Sequence, residues 1–275
     1  MAEFRISLAS YSFHGMLGAG MRDVFGYLDA LRYRYHLEWA DIWTGFLPSL
    51  DDAFIRKVRQ AMDDRGVRLA NLCVDGPCVW AGTPEQRQAH KAQMLEIIAA
   101  AGLLGARTIR IDFGGQEGHT MTDEAFDWIV ATYRDYCARC GDLGMRIGPE
   151  NHWGWDRVPA YLERVRDAVD SPAYGHLFHF TNFFDEPERG AAAAVSYAMH
   201  THIPANSLPV AKETIRRLAA AGYDGTYSVE HHSGMHEAER VEWQLGAVRN
   251  CIAELKAEGL GETAKTDYAT TIYTK

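Results

Sequence analysis

Residues 89–113, AHKAQMLEIIAAAGLLGARTIRIDF, join a helix-type pattern to a strand-type pattern through a single glycine. Apolar residues recur at helical spacing as far as Leu104, and residues 106–113 then form a short run typical of a strand. Gly105 stands between them, where the left-handed conformation that ends many helices is easiest for glycine. The stretch therefore predicts a helix that is followed at once by a strand.

The same unit recurs along the chain. The interval from Gly66 to Gly105 is 39 residues, and the interval from Gly105 to Gly144 is 39 again, a period that suits one strand plus one helix. Gly222 stands at the same place in a later unit. The predicted strands cover residues 5–10, 36–43, 67–74, 106–113, 145–150, 176–182, 195–202 and 226–230.

Eight strands that alternate with helices indicate a parallel sheet closed into a barrel. An open doubly wound sheet is the main competitor, but no glycine-rich dinucleotide loop follows the first strand. We therefore predict an α/β fold, a single-domain (β/α)8 TIM barrel over residues 1–258. Residues 259–275, rich in Gly and Thr, are expected to form an extension that frays or packs on another subunit.

Composition limits the classes of partner. The chain is 47% hydrophobic and 24% charged, and its apolar runs are shorter than the roughly 20 residues that span a bilayer. The first residues show no secretory signal, so we expect a cytoplasmic protein without a membrane partner. The net charge of -9 argues against a nucleic-acid partner.

Cys137 and Cys140 have C-x-x-C spacing, which we interpret as two buried thiols on one helix face rather than a redox or zinc site.

Ionisable residues gather at the ends of the late strands, where TIM barrels place their active sites. Glu150 closes the fifth predicted strand and Glu230 the eighth, and no Lys or Arg stands among the ionisable groups at the ends of the last four strands to neutralise them. One histidine or glutamate alone would be an ordinary rim residue, whereas the group favours a divalent cation over a purely polar pocket. The six histidines near these ends are His152, His179, His200, His202, His231 and His232.

Several segments resemble one family. ENHWGWDRVPAYLERVRDAVDSP (residues 150–172), HFTNF (179–183), YAMHTH (197–202) and GYDGTYSVE (222–230) are similar to the xylose isomerase-like TIM barrels that include sugar phosphate isomerases and epimerases. The opening ISLASYSF (6–13) and LPSLDD (47–52) are similar too, so the resemblance extends over most of the chain. These motifs are fairly specific for the superfamily and poorly specific for the reaction.

The resemblance implies one divalent metal ion, manganese first, with magnesium, cobalt, zinc or iron as alternatives. Its ligands in the family are Glu, Asp, His and Glu from strands five to eight. Glu150 and Glu230 match the glutamates, and His202 matches the histidine better than His200, because the family's pattern is often H-x-H with the second histidine as ligand. The chain departs from the pattern at the aspartate's position, where it has His179.

Two departures from the family have chemical consequences. With His179 in place of aspartate, two carboxylates and two imidazoles leave a divalent site near neutrality, which makes the metal a stronger Lewis acid. Pro204 replaces the lysine that usually follows the ligand histidine, so we do not assume a phosphorylated substrate.

The implied chemistry is removal of a proton next to the carbonyl of a sugar or keto-sugar, as in isomerases and epimerases. The candidate bases are Glu150, Glu230 and His152. Aromatic residues crowd the same loops and predict a platform and lid for the substrate, with core packing as the alternative. The predicted substrate-binding residues are Trp153, Trp155, Asn182, His200, Phe183 and His232.

Other functions stay open at this point. The chain also looks similar to C-glycoside deglycosidase catalytic subunits, so a lyase that cleaves 3-keto glycosides by proton abstraction and elimination is the first alternative. A non-catalytic sugar-binding or partner-subunit barrel is the second. A nuclease of the same fold needs more metal ligands and a basic face, which the acidic balance disfavours. The expected partners are a small sugar or keto-glycoside and a second copy of the chain, or a different subunit.

Overall fold

Eight parallel strands form the centre of the protein in a computed structural model, which describes residues 3–260. They are β1 (Arg5–Ala9), β2 (Trp39–Trp43), β3 (Arg68–Cys73), β4 (Thr108–Arg110), β5 (Arg146–Gly148), β6 (His176–His179), β7 (Ala198–Pro204) and β8 (Thr226–Glu230). The strand order is β5-β4-β3-β2-β1-β8-β7-β6. Backbone hydrogen bonds from Ile147 to Ala173 (2.8 Å) and from Leu177 to Pro149 (2.9 Å) connect the two ends, which closes the ring.

Helices connect successive strands and cover the outside of the barrel. They are α1 (His14–Gly18), α2 (Val24–Asp29), α3 (Asp52–Asp64), α4 (Pro84–Leu104), α5 (Asp123–Asp142), α6 (Pro159–Val169), α7 (Pro187–Tyr197), α8 (Leu208–Ala220) and α9 (Glu237–Ala257). Short 3-10 turns occupy Ser10–Phe13, Thr44–Phe46, Gly154–Arg157 and Ala205–Ser207, and a π-helical turn occupies Ala30–Arg34. The predicted single-domain (β/α)8 barrel is confirmed.

The stretch that predicts the fold has local signals at both ends of its helix. Thr83 and Gln86 form a reciprocal capping box at the start of α4, which satisfies backbone N–H groups that have no helical partner. Gly105 ends the helix with a φ of 71°, in the left-handed region that costs glycine little. The chain then enters β4 at Thr108, so helix and strand follow each other as the pattern predicts.

Some strand bounds differ from the prediction. The predicted strand 106–113 contains only three residues of β4, because the backbone N–H of Phe113 binds the carboxylate of Asp156 at 2.9 Å instead of a neighbouring strand. The predicted strand 195–202 begins late because α7 continues to Tyr197, and β7 then extends to Pro204. The predicted strand 176–182 ends at His179, just before Thr181 with its positive φ of 64°.

The core lies between the sheet and the helices, where aliphatic and aromatic side chains of both layers are buried. Cys137 and Cys140 belong to this core, and burial raises the pKa of their thiols to about 11 and about 12. Such thiols stay protonated at neutral pH, in agreement with the structural role inferred for them.

Within residues 3–260, none of the helices combines the length and hydrophobicity needed to cross a membrane. The predicted extension falls mainly on residues 261–275, which lie outside the described residues.

Candidate metal centre and active site

The four predicted ligands converge at the carboxyl ends of the last four strands. Glu150 follows β5, His179 ends β6, His202 lies in β7 and Glu230 ends β8. All four side chains are buried, and one potential ligand atom from each lies within 4.8 Å of the others. A cluster of this composition can hold a divalent ion.

Two imidazoles face two carboxylates in this cluster, each through its Nδ1 atom. Nδ1 of His202 lies 2.8 Å from Oε1 of Glu150 and 3.3 Å from Oε2 of Glu230. Nδ1 of His179 lies 2.9 Å from Oε1 of Glu150 and 3.8 Å from Oε2 of Glu230. The histidine at the position of the family's aspartate therefore lies among the other three side chains.

His202 has a carboxylate on both sides of its ring. Its Nε2 lies 2.9 Å from Oδ2 of Asp41, while its Nδ1 faces Glu150 and Glu230. Because a neutral imidazole has only one N–H, the second nitrogen needs either a proton or a metal ion to face a carboxylate favourably. Burial lowers the pKa of His202, but Glu230, Glu150 and Asp41 outweigh it and raise that pKa well above its ordinary value.

Asp41 lies at the centre of a second buried group, one layer below the glutamates. Its carboxylate accepts hydrogen bonds from Asn71 (2.9 Å) and Ser228 (2.8 Å) and faces Nε2 of His200 at 2.8 Å. Burial raises the pKa of Asp41, but His200 and His202 lower it far below its ordinary value, so the carboxyl is ionised.

The residues present fit a divalent cation. Oε2 of Glu150 is buried, and none of residues 3–260 donates a hydrogen bond to it. Arg110 lies 3.0 Å from this oxygen without donating a hydrogen bond to it, so the lone pairs of the oxygen remain available to a metal ion. The donor set of two carboxylates and two imidazoles suits manganese, iron, cobalt and zinc. A metal ion would be held by Glu150, His179, His202 and Glu230, with Asp41 orienting one of the imidazoles.

A buried arginine also faces Glu150, which corrects the expectation that the group has no neighbouring cation. Arg110, at the end of β4, places Nε 3.0 Å from Oε2 of Glu150, and its side chain is 4% exposed. The sequence prediction does not include Arg110, because it rests on the ends of the last four strands, whereas β4 is the direct neighbour of β5 in the ring, with Arg110 paired to Gly148.

Asp112 connects this arginine to the loop after β5. Its Oδ2 lies 3.1 Å from Nη1 of Arg110 and 3.1 Å from Nδ1 of His152, and it accepts a hydrogen bond from Nε1 of Trp153 at 2.9 Å. Burial lowers the pKa of His152, but the negative charges of Glu150 and Asp112 outweigh it and raise that pKa to about 9. With Nδ1 held by Asp112, Nε2 is the ring nitrogen available to a substrate.

A cavity of about 260 Å³ opens beside the cluster. His232 lines it and places Nε2 2.8 Å from Oε2 of Glu230. Burial raises the pKa of Glu230, but His202 and His232 outweigh it and lower that pKa to about 2. The lining residues are Tyr11, Trp43, Cys73, Asp75, Arg110, His152, Glu230 and His232.

The family model described as xylose isomerase-like TIM barrel matches residues 34–251. The chain belongs to this family. No curated protein sequence is significantly similar to it.

Solved structures of similar fold include several enzymes. A D-tagatose 3-epimerase-like protein is 15% identical with a TM-score of 0.72, over 92% of this chain and 100% of that one. The 3-keto-D-glucoside 4-epimerase YcjR from E. coli is 14% identical with a TM-score of 0.70, over 93% and 100%. The probable 3-DHS dehydratase AsbF from Bacillus anthracis is 13% identical with a TM-score of 0.64, over 91% and 99%. Barrels of this kind thus include sugar epimerases and a probable dehydratase.

Two of the predicted substrate-binding residues of this xylose isomerase-like barrel line a second cavity of about 430 Å³. Trp153 is 43% exposed, and the buried Trp155 stands opposite Trp80 with ring centroids 6.4 Å apart. Trp153 also lines a neighbouring cavity with Arg110 and His152, so the aromatic walls continue from the charged cluster. The residues that line the second cavity are Trp80, Ala81, Gly82, Gly115, Gln116, His119, Thr120, Thr122, Trp153 and Trp155.

His232 lines the first cavity, whereas Asn182, Phe183 and His200 line none of these three cavities. Asn182 donates hydrogen bonds to the backbone oxygens of Asn151 (2.7 Å) and His152 (3.0 Å), which holds the loop after β5. Phe183 is buried and its ring stacks against that of His176. His200 is buried with Nδ1 3.2 Å from Oγ1 of Thr226 and contacts Asp41 on its other side. Direct contact of these three with a substrate remains a prediction.

Three charged residues of the site were missed by the sequence reasoning. Asp41 interrupts the apolar strand WADIW, and Arg110 and Asp112 stand two apart in the segment IRIDF. Side chains two apart on a strand point to the same face. Charged residues inside otherwise apolar strands were the signal that could have placed them in the barrel mouth.

Proposed function

We propose that the protein is a divalent-metal-dependent enzyme that removes a proton next to the carbonyl of a sugar or keto-sugar, as isomerases and epimerases do. The observation that carries this proposal is the position of His202, whose two nitrogens face carboxylates on opposite sides. Manganese is the first candidate for the metal, and magnesium, cobalt, zinc and iron are the alternatives.

When bound, the ion supplies Lewis-acid stabilisation of negative charge on the substrate's carbonyl oxygen. The protein's own part is to hold the ligand atoms in place before substrate arrives. Asp41 fixes the ring of His202, and the buried strand ends fix the two glutamates. Preorganised charge of this kind needs little rearrangement during the reaction.

The proton acceptor must be a group that reaches the cavity. Both imidazoles contact Oε1 of Glu150, so this carboxylate is better suited to remain a ligand. His152 and Glu230 line the cavity and are the stronger candidates for the base and for the group that returns the proton. A cation that compensated the charge of Glu150 would remove the largest cause that raises the pKa of His152. The pKa would then fall toward neutrality, where an imidazole is an effective base.

A lyase is the second candidate, favoured by the aromatic cavity next to His152. A keto-glycoside could place its reacting ring at the charged cluster and its leaving group between Trp80, Trp153 and Trp155. Proton abstraction is common to both reactions, and elimination differs only in the bond that breaks afterwards. A cytoplasmic location and self-association, or alternatively association with a different subunit, are further expectations.

Proton exchange in deuterated water separates these functions. Manganese-loaded protein is incubated with aldoses, ketoses and 3-keto glycosides, and both deuterium uptake and aglycone release are followed. Uptake without release indicates an isomerase or epimerase, and release indicates a lyase. Binding of a sugar without uptake or release would contradict the enzyme proposal and favour a non-catalytic barrel.

A further inference from the structure

Arg110 is a buried cation in the wall of the candidate active site. Its side chain is 4% exposed, yet it lines both the cavity beside Glu230 and the neighbouring cavity beside Trp153. Arginine is almost never buried without partners, so each of its five N–H groups is expected to have an acceptor.

One edge of the guanidinium group is firmly held by the protein. Nη1 donates to the backbone oxygen of Val74 at 2.9 Å and to Oδ1 of Asp75 at 2.7 Å, and it also contacts Oδ2 of Asp112 at 3.1 Å. These acceptors lie on two different loops and fix the plane of the group. The anchoring acceptors use only the two hydrogens of Nη1.

The other edge is not engaged in the same way. Nε lies 3.0 Å from Oε2 of Glu150, but the two atoms are not aligned for a hydrogen bond. Within residues 3–260, Nη2 of Arg110 has no hydrogen-bond partner. This atom is not fully buried. An arginine that served only Glu150 would be expected to dock on the carboxylate with two parallel hydrogen bonds. Arg110 lines both cavities, so the hydrogens on this edge that the protein leaves unused are available to a substrate.

We propose that Arg110 is a substrate-binding residue, whose Nη2 edge donates to a substrate oxygen that gains negative charge as the neighbouring proton is removed. This inference rests on the proposed function and specifies the substrate as one that carries a carbonyl or hydroxyl oxygen beside Glu150. Arg110 transfers no proton and forms no covalent bond. A charge-assisted hydrogen bond strengthens as the oxygen becomes anionic, so its effect is larger in the transition state than in the bound substrate.

The test compares Arg110→Lys and Arg110→Met with the manganese-loaded wild-type protein. We expect both variants to bind metal within a few-fold of wild type, and kcat to fall about 100-fold in Arg110→Met, with a smaller change in KM. Affinity for a sugar hydroxamate, a planar analogue of the enediolate, should fall in parallel, and Arg110→Lys should recover part of both losses. Arg164→Gln, which removes an exposed arginine on α6, is the matched control and should behave as wild type.

Two outcomes would overturn the inference. If Arg110→Met loses metal as completely as Glu150→Gln does, Arg110 is only the charge partner of that glutamate. If Arg110→Met keeps both its kcat and its hydroxamate affinity, Arg110 does not contact the reacting oxygen. Should wild-type protein exchange no proton with any sugar, the proposed function fails. The role of Arg110 is then tested separately, by comparing hydroxamate binding to metal-loaded wild type and to metal-loaded Arg110→Met. A lower affinity of Arg110→Met would support the inference, and an equal affinity would overturn it.

Discussion

Nε2 of His202 lies 2.9 Å from Oδ2 of Asp41, a fully buried carboxylate that reaches the site from β2. The contact crosses the barrel interior from β2 to β7 and leaves Nδ1 of the imidazole facing the glutamates. A carboxylate behind a ligand histidine fixes the orientation of the ring and increases its basicity. Asp41, inside the barrel, thus orients a candidate metal ligand at the carboxyl ends of the strands.

Asp41→Asn should weaken metal binding, because the amide keeps the shape of the side chain but removes the charge behind His202. We expect an affinity loss of roughly 10- to 100-fold, as is typical for partners of metal-binding histidines. Calorimetric titration with manganese measures it. Ser228→Ala removes one donor to the same carboxylate and should change the affinity far less. Equal affinity of Asp41→Asn and wild type would show that the charge of Asp41 does not support metal binding through His202.

Glu150→Gln and His152→Ala should separate metal binding from proton transfer. Glu150→Gln removes the carboxylate that both imidazoles contact, so metal content and activity should fall together. His152→Ala leaves the four candidate ligands intact and should retain the metal while activity falls by about 100-fold or more. Metal content is measured by elemental analysis and turnover by deuterium uptake. Retained turnover in both variants would contradict the assignment.

Much of the fold could be predicted from the sequence, because each strand-helix unit has its own local signals. Gly105 and the capping residues before α4 act within a few residues of the chain, so a pattern reveals them. The site was only partly predictable, because Glu150 and Glu230 stand at strand ends, whereas Arg110 enters from the adjacent β4 and Asp41 enters from β2 across the barrel interior. Their contacts depend on closure of the ring, and no local spacing encodes it.

Removal of the metal should abolish activity reversibly. The cluster holds its two imidazoles beside two carboxylates whether they share protons or an ion, so the apo protein is expected to stay folded. Dialysis against a chelator should remove about one ion per chain, and manganese should restore turnover. Circular dichroism before and after dialysis separates loss of metal from unfolding. Full activity after complete removal of metal would refute the metal-dependent mechanism.

Trp153→Ala should impair substrate binding without harming the fold. The indole is 43% exposed, lines the aromatic cavity and donates to Asp112, so its loss removes a wall and one partner of the Asp112–His152 pair. KM for keto-glycosides should rise about 10-fold, and less for free keto-sugars that do not reach the aromatic cavity. Trp243→Ala, on the exposed face of α9, is the matched control. Identical KM values for Trp153→Ala and wild type would exclude this wall from the substrate site.

His176 should make the protein less stable as the pH falls. Its ring is buried behind the site, with Nε2 3.2 Å from Oδ1 of Asn151, and burial lowers its pKa to about 3. Because the unfolded chain takes up a proton at this histidine below a pH of about 6.5 and the folded protein does not, stability is present above that pH and is lost toward pH 3. The loss from this residue is about 1.4 kcal/mol per pH unit within that window.

Urea unfolding of chelator-treated protein between pH 6 and pH 4 measures this loss. The carboxylates titrate in wild type and in His176→Gln alike, so the difference in slope between the two isolates the histidine. Glutamine retains an amide N–H for Asn151 and does not titrate, so the variant should lose less stability than wild type on acidification. Parallel slopes would mean that His176 accepts a proton in the folded protein, which its burial and its unpaired Nδ1 argue against.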